Sequence, residues 1–231
     1  MNPDRIRENL EAVRSRMAGA AARSGRDPAA VALVAVTKRN PPELVRPLVD
    51  LGQLDLGENY PQELWGKVEA LAGLPARWHL IGHLQGNKAK KTLAMVRMIH
   101  GVDSLKLLKT LDDLAATMAD PPAVCLQVNA SGEASKHGWE PEALPADARA
   151  IAACRHIPVV GLMTIAGYGT GDEEARPTFA RLRELRDRMR AATGLPLPEL
   201  SMGMSGDYEA AIEEGATLIR VGSALFEGVA G

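Results

Sequence analysis

The sequence predicts an α/β protein, a single-domain (β/α)8 TIM barrel over residues 1–231 with one additional helix at its N-terminus. Apolar, strand-like runs alternate with helical patterns eight times, and short connections without a change in composition join them. Such alternation is typical of parallel sheets, and about 200 residues is near the smallest size at which eight units close into a barrel. The alternative, an open doubly wound sheet, requires a glycine-rich turn after the first strand. That turn, 37–41, contains no glycine.

The individual elements follow from hydrophobic periodicity. Residues 2–23 carry apolar side chains at helical spacing, at Ile6, Leu10, Val13 and Met17, and Gly25 ends that pattern. The strands are predicted at 31–38, 54–57, 77–82, 98–102, 123–128, 159–165, 200–203 and 218–222. The helices between them are predicted at 42–51, 62–71, around a lysine-rich segment at 88–91, from 103–104 to about 118, at 143–153, at 173–192 and through 210–212.

The composition indicates a globular protein with a large core. The 231 residues are 46% hydrophobic, and a net charge of −2 gives no general attraction to nucleic acids or anionic membranes. The arginines within 181–190 lie on a predicted amphipathic helix and indicate a solvated face. No apolar run approaches the roughly 20 residues of a membrane span. Cys125 and Cys154 lie among apolar residues, as reduced cysteines do. We expect a cytoplasmic monomer, with neither a membrane nor a nucleic acid as partner.

Lys38 is the first candidate for a reactive residue, because it ends the apolar run 31–38. A strand end is a rigid place to hold one amine. If that amine lies in a mostly apolar socket, desolvation leaves part of it neutral and able to condense with an aldehyde. The alternative is a lysine that only marks where a buried strand reaches the surface. Lys38 is therefore a candidate Schiff-base lysine.

The last two units of the predicted barrel indicate a phosphate site. Segment 202–207 and segment 221–224 each cross from a strand to a helix through small residues and a hydroxyl, notably Ser205, Gly222 and Ser223. Exposed amides at a helix start attract phosphate, and the loops after strands seven and eight are where barrels most often bind it. The alternative is ordinary capping by Ser205 or Asp207, with a cap-like glycine at Gly222. Together with Lys38 at the same end of the barrel, these segments favour phosphate binding.

Two histidines are candidate metal ligands. His79 and His83 are four residues apart, but they flank a predicted strand end instead of sharing a helix face. They also lack an acidic third ligand at a fixed spacing. The sequence therefore predicts no metal site.

A lysine, a phosphate cradle and one arginine together suggest a phosphorylated aldehyde held as an imine. Pyridoxal 5′-phosphate (PLP) is the commonest such ligand, and an aldolase acting on a phosphorylated sugar is the nearest alternative. Arg220 favours PLP, because a guanidinium that remains charged keeps a neighbouring pyridine nitrogen unprotonated. The other interpretation of Arg220, an exposed ion-pair partner, is weakened by the apolar residues on both sides of it.

The sequence resembles the pyridoxal phosphate homeostasis proteins, single-domain barrels of the alanine-racemase-like, fold-type III class. The segments that carry the resemblance span nearly the whole chain. They are 34–38 (VAVTK), 57–63 (GENYPQE), 78–88 (WHLIGHLQGNK), 102–104 (VDS), 128–133 (VNASGE), 161–165 (GLMTI), 201–207 (SMGMSGD) and 220–223 (RVGS).

The resemblance implies roles for six residues. Lys38 forms the internal aldimine, and Ser205 with the backbone at Gly222 and Ser223 holds the phosphate. Arg220 faces the pyridine nitrogen, and Asn59 lies beside the ring. The chain departs from many relatives at 39–40, directly after the lysine, and in the longer loop 166–171, so the entrance to the site is expected to differ.

A carrier function is expected rather than catalysis. Fold-type III racemases have a second domain that supplies a catalytic tyrosine, whereas the predicted barrel accounts for all 231 residues and only Tyr60, Tyr168 and Tyr208 are present. An unprotonated pyridine ring is also a poor electron sink. The sequence therefore predicts a protein of intracellular PLP (vitamin B6) homeostasis, with apo PLP-dependent enzymes as recipients. The alternative is a PLP-dependent amino-acid racemase.

Overall fold

The computed structural model describes residues 3–133, 136–167 and 171–229, and in them eight parallel strands close into a barrel. Each strand pairs with the next along the chain, and the eighth pairs with the first, for example Ala35 with Val221. The predicted (β/α)8 fold is therefore confirmed. The strands are β1 (Ala32–Val36), β2 (Asp55–Glu58), β3 (Arg77–Leu80), β4 (Met98–Val102), β5 (Ala123–Gln127), β6 (Val159–Met163), β7 (Glu199–Ser201) and β8 (Leu218–Val221).

The helices surround the barrel. Two 3₁₀ turns, Pro28–Ala30 and Leu144–Asp147, precede β1 and the sixth helix. The α-helices are α1 (Pro3–Arg23), α2 (Pro42–Asp50), α3 (Pro61–Ala70), α4 (Gly86–Leu93), α5 (Leu105–Ala115), α6 (Ala148–Ala152), α7 (Asp172–Thr193), α8 (Tyr208–Glu213) and α9 (Ser223–Phe226). Among the described residues, no helix is both long and apolar enough to cross a bilayer.

Strand β1 is apolar on both faces because each face meets a core. In β1, Leu33 and Ala35 belong to the large core between the barrel and its helices, whereas Val34 and Val36 belong to the core inside the barrel. The inner core also contains residues from several other strands, among them Met98, Cys125 and Met163. A strand covered on both sides has no polar alternation, so the run 31–38 was recognisable as a barrel strand.

The predicted N-terminal helix is present and covers the side of the barrel formed by α8 and α9. Its apolar positions are buried as the spacing predicted. The Asn9 amide donates to the carbonyls of Leu225 (3.1 Å) and Glu227 (2.9 Å). Arg16 and Arg23 both form ion pairs with Glu209 of α8. The helix thus supports the two elements that follow β7 and β8.

Several predicted elements are too long. β1 ends at Val36, two residues before Lys38, because the chain turns over 37–40 with Arg39 in the left-handed region (φ 65°). β7 ends at Ser201 instead of residue 203. The predicted helix 143–153 is a 3₁₀ turn followed by the short α6. Parts of the predicted loops 131–138 and 166–171, namely 134–135 and 168–170, lie outside the described residues.

Candidate cofactor site at the carboxyl ends of the strands

Lys38 lies at the carboxyl end of the barrel, between the ends of β2 and β8. The register pairs Val36 with Gly57 on one side and Ala35 with Val221 on the other. The Lys38 side chain is exposed. The described residues therefore do not form the apolar socket that would leave this amine partly neutral, because the turn after Val36 carries Lys38 beyond the apolar interior. An exposed amine at this place is accessible to a ligand that enters the open end of the barrel.

A buried polar cluster fixes the backbone directly before Lys38. The Lys67 ammonium donates to the Thr37 carbonyl (2.6 Å) and forms an ion pair with Glu58. The Thr37 hydroxyl donates to the same Glu58 oxygen, Oε1 (2.5 Å). We call Thr37, Glu58 and Lys67 the Thr37 network. Its three residues are buried, so they hold the start of the turn that carries Lys38.

The charge balance within the Thr37 network depends on Lys67. Burial raises the pKa of Glu58 above its ordinary value, although the hydrogen bonds from Lys67 and Thr37 act in the opposite direction. The second carboxylate oxygen, Oε2, has no hydrogen-bond partner among the described residues. Sequence reasoning missed Lys67. The available signal was its spacing, because Lys67 follows Leu64 by three residues on the buried face of α3.

The segments after β7 and β8 meet at Ser205. Its hydroxyl oxygen accepts hydrogen bonds from the backbone amides of Gly222 (3.3 Å) and Ala224 (3.4 Å), at the start of α9. Gly222 also lies against β1, since a side chain there would place its Cβ 3.1 Å from the Val36 carbonyl oxygen. The structure therefore brings Ser205, Gly222 and the exposed Ser223 together beside the strand that leads to Lys38.

The sequence left open whether Ser205 or Asp207 caps α8, and Ser205 is not the N-cap. Asp207 occupies that position, and its carboxylate accepts from the Met204 amide (2.5 Å) instead of from an amide of α8. Burial raises the pKa of Asp207, against the hydrogen bond from Met204. The Ser205 hydroxyl thus faces the amides of α9. Amides that converge on one hydroxyl form a place where an anionic oxygen can be bound.

Arg220 is 3% exposed, so the interpretation as an exposed ion-pair partner was wrong. Its guanidinium donates to the Ser201 hydroxyl (2.6 Å) through Nη1 and to the Thr164 carbonyl (2.9 Å) through Nη2. No carboxylate within the described part of the chain forms an ion pair with it. Burial lowers its pKa to about 10, which still leaves the group charged at neutral pH. These bonds use two of its five N–H groups, and the others can serve a ligand.

Asn59 follows β2 and lies against the end of β3. A Cβ at Gly82 would come within 2.2 Å of the Asn59 carbonyl oxygen and 2.6 Å of its side-chain oxygen, so Gly82 makes room for Asn59. Asn59 is half-buried and immediately follows Glu58 of the Thr37 network. The structure therefore places Asn59 at the same end of the barrel as Lys38.

The two histidines weighed as metal ligands are separated. His79 is buried inside the barrel, where its Nδ1 lies 2.9 Å from Nε2 of His100. His83 is exposed, pairs with Asp103 (2.7 Å) and stacks on His137. Across the described residues, no group of three or more His, Cys, Asp or Glu side chains could hold a metal ion.

The described site residues are thus an exposed lysine, a hydroxyl with converging amides, a buried arginine and an amide at one open end of an eight-stranded barrel. The family model for the N-terminal domain of alanine racemase matches residues 1–229. The class of protein is therefore a barrel of the alanine racemase N-terminal type.

Relatives of similar sequence narrow the class of protein further. The pyridoxal phosphate homeostasis protein of Pseudomonas aeruginosa is 46% identical over 221 residues, which cover 96% of this chain and 94% of that protein. The proteins of the same name from Aquifex aeolicus and Homo sapiens are 41% and 38% identical and cover 95% and 94% of this chain. The chain belongs to the family of pyridoxal phosphate homeostasis proteins.

Solved structures agree in fold. PipY of Synechococcus elongatus, in its structure with PLP bound, is 38% identical with a TM-score of 0.84, and the match covers 96% of this chain and 99% of PipY. The alanine racemase of Corynebacterium glutamicum is 17% identical with a TM-score of 0.77, and the match covers 98% of this chain and 61% of the racemase. The likeness to the racemase extends to the fold alone.

Proposed function

We propose that this protein binds PLP and serves intracellular PLP (vitamin B6) homeostasis, holding the cofactor as a Schiff base on Lys38 with little or no turnover of its own. The names of relatives at 36–46% identity and the PLP-bound structure of PipY support this proposal. The proposal treats residues 1–231 as one PLP-binding domain of a cytoplasmic monomer. Its partners would be PLP itself and apo PLP-dependent enzymes as recipients.

The observation that carries the proposal is the fit of the donor set to PLP. The cofactor has an aldehyde, a phosphate and a pyridine nitrogen. The site offers one exposed amine at Lys38 and converging amides with the Ser205 hydroxyl. It also offers a buried guanidinium, Arg220, with N–H groups to spare. Each group of the ligand therefore has a chemically suitable partner at one end of the barrel.

Each of these residues has a distinct task in the proposal. Lys38 supplies the amine for the covalent link, and Ser205 with the amides of Gly222 and Ser223 binds the phosphate. Asn59 lies beside the ring. Arg220, which stays charged at neutral pH, can only donate a hydrogen bond and so keeps the ring nitrogen unprotonated. When bound, PLP supplies an aldehyde that condenses with amines and a ring that accepts electrons, and the second property is weak without the ring proton.

The second candidate is an amino-acid racemase, which needs a proton-transfer group on each face of the ring. Among the described tyrosines, Tyr60 is 57% exposed, whereas Tyr208 is buried in the main core. The Tyr208 hydroxyl has no hydrogen-bond partner among the residues that the structure describes. Tyr168 lies outside the described residues. Tyr60 follows Asn59 and is the tyrosine that a racemase hypothesis would assign.

The proposal is tested by reduction of the purified protein with borohydride after addition of PLP. We expect a visible absorbance before reduction and a stable pyridoxyl adduct on the peptide that contains Lys38. The Lys38→Ala variant should lose this adduct, and Lys90→Ala, which changes an exposed lysine on α4, should retain it. A protein that remains colourless with PLP, or an adduct on another lysine, contradicts the proposed role of Lys38.

Turnover is tested separately. Single L-amino acids incubated with the PLP-loaded protein should yield little of the D-form. A racemisation rate comparable with that of a dedicated racemase would establish the second candidate instead.

A further inference from the structure

A chain of buried polar side chains crosses the barrel behind Arg220. The Arg220 guanidinium donates to Ser201 Oγ (2.6 Å), and Ser201 Oγ lies 2.6 Å from His100 Nδ1. His100 Nε2 lies 2.9 Å from His79 Nδ1, and His79 Nε2 lies 3.1 Å from Asp55 Oδ1. We call these five residues the Arg220 network.

The network lies inside the barrel. His100 belongs to β4 and Ser201 to β7, two strands that are not neighbours, so their side chains can meet only across the interior. Asp55 is the first residue of β2, at the amino end of the barrel. The Arg77 guanidinium binds both carboxylate oxygens of Asp55 there. The network therefore connects the proposed cofactor site with the opposite end of the barrel.

The direction of hydrogen-bond donation follows from the chemistry of Arg220. A guanidinium has no acceptor, so the Ser201 oxygen accepts from it and the Ser201 hydrogen is available for His100 Nδ1. His100 then carries its proton on Nε2 and donates to His79 Nδ1. His79 in turn donates from Nε2 to the Asp55 carboxylate. In this arrangement both histidines are neutral, and each of their ring nitrogens has a partner.

The reverse arrangement leaves one group without a partner. If His100 Nδ1 carried a proton, it would donate to Ser201, which already accepts from Arg220. The Ser201 hydrogen would then have no acceptor in the contacts of the described residues. Burial, with the neighbouring His79 and Arg220, also lowers the pKa of His100 well below its ordinary value. A neutral His100 is therefore favoured by geometry and by desolvation.

We propose that Ser201, His100 and His79 are positioning residues for the cofactor site, forming a one-directional hydrogen-bond network anchored at Asp55 that fixes the orientation of Arg220. The inference rests on the proposed function, since Arg220 matters here as the partner of the ring nitrogen. Neutral acceptors hold the guanidinium without neutralising its charge, and the N–H groups that Ser201 and Thr164 do not use stay available to a ligand. A carboxylate in the place of Ser201 would instead compete with the ligand for those groups.

The first experiment measures the equilibrium affinity for PLP in variants of the network. Ser201→Ala and His100→Leu should each raise the dissociation constant about tenfold, the equivalent of about one hydrogen bond to a charged group. His100→Asn, which keeps an acceptor where Nδ1 lies, should recover most of the affinity. His156→Asn changes an exposed histidine elsewhere and should leave the affinity unchanged.

The second experiment does not depend on PLP. Nitrogen-15 NMR of the imidazoles in the wild-type protein should show the Nε2–H tautomer for His100 and for His79. The Nδ1–H tautomer on His100 would overturn the inferred direction. Wild-type affinity in Ser201→Ala and His100→Leu would overturn the positioning role. If the wild-type protein itself does not bind PLP, the proposed function fails while the tautomers remain a separate result.

Discussion

The two cations of the proposed site are held in opposite ways. The Lys38 side chain is exposed, and the Thr37 network fixes only the backbone that leads to it. The Arg220 side chain is buried, and the Arg220 network holds its guanidinium directly. A lysine that forms and breaks a covalent link needs a mobile side chain on a fixed base. An arginine that sets the protonation of a ring nitrogen needs a fixed side chain.

The networks also differ in charge. The Thr37 network contains a buried ion pair between Lys67 and Glu58, whereas the interior of the Arg220 network consists of a hydroxyl and two imidazoles that the inferred arrangement leaves neutral. Removing one partner of a buried ion pair leaves an uncompensated charge, which costs more than the loss of one hydrogen bond. The free energy of unfolding should therefore fall more when a residue of the Thr37 network is replaced than when a residue of the Arg220 network is replaced.

The largest effect is expected for Lys67→Met. This change leaves the Glu58 carboxylate buried without its counter-ion, and we expect the free energy of unfolding to fall by about 3–5 kcal/mol. Denaturant unfolding at neutral pH measures this. The matched control is Lys90→Met on α4, an exposed lysine, for which a change within about 0.5 kcal/mol is expected.

A second variant separates charge from packing in the Thr37 network. Adding Glu58→Gln to Lys67→Met removes the buried charge, so the double variant should be more stable than Lys67→Met alone. If the double variant is no more stable, the loss comes from packing of the lysine stem, and the contrast in charge between the two networks does not account for it.

The site residues that follow directly after strands could be predicted from the sequence. Lys38, Asn59, Ser205 and Gly222 stand at the ends of strands recognisable from local hydrophobic patterns, so the barrel rule placed them at one end. The exact strand ends could not be predicted. Because β1 was predicted to reach residue 38 but ends at Val36, the exposure of Lys38 was not predicted.

The partners inside the barrel could not be predicted. His100 and Ser201 are 101 residues apart and meet only because the barrel closes. His79 was considered as a metal ligand because His83 lies four residues away, whereas its contact in the fold is His100, 21 residues away along the chain. Local periodicity tells which face of a strand is buried, but not which side chains meet across an interior.

An intermediate effect is expected for Ser201→Ala without ligand. The Arg220 guanidinium loses one of its two acceptors, and His100 Nδ1 loses its donor, so the free energy of unfolding should fall by about 1.5–3 kcal/mol. Ser15→Ala on the exposed face of α1 is the control, with a change within about 0.5 kcal/mol. A loss equal to that of Lys67→Met would remove the distinction between a charged and a neutral network.

The smallest effect, measured per pH unit, should come from the pH dependence of stability that His100 contributes. Because the pKa of His100 is well below its ordinary value of 6.5 in the folded protein, the unfolded chain takes up a proton first as the pH falls. Its contribution to stability is therefore complete above pH 6.5 and is lost below it, by up to about 1.4 kcal/mol per pH unit for one proton. Urea unfolding between pH 7.5 and 5 measures this slope.

His100→Asn cannot take up that proton, so its stability should depend less steeply on pH over the same interval. His156→Asn, at an exposed histidine, should keep the wild-type slope. An unchanged slope in His100→Asn would mean that His100 is protonated in the folded protein as easily as in the unfolded chain. In that case burial and the neighbouring Arg220 would not favour the neutral imidazole, which contradicts the neutral His100 of the inferred arrangement.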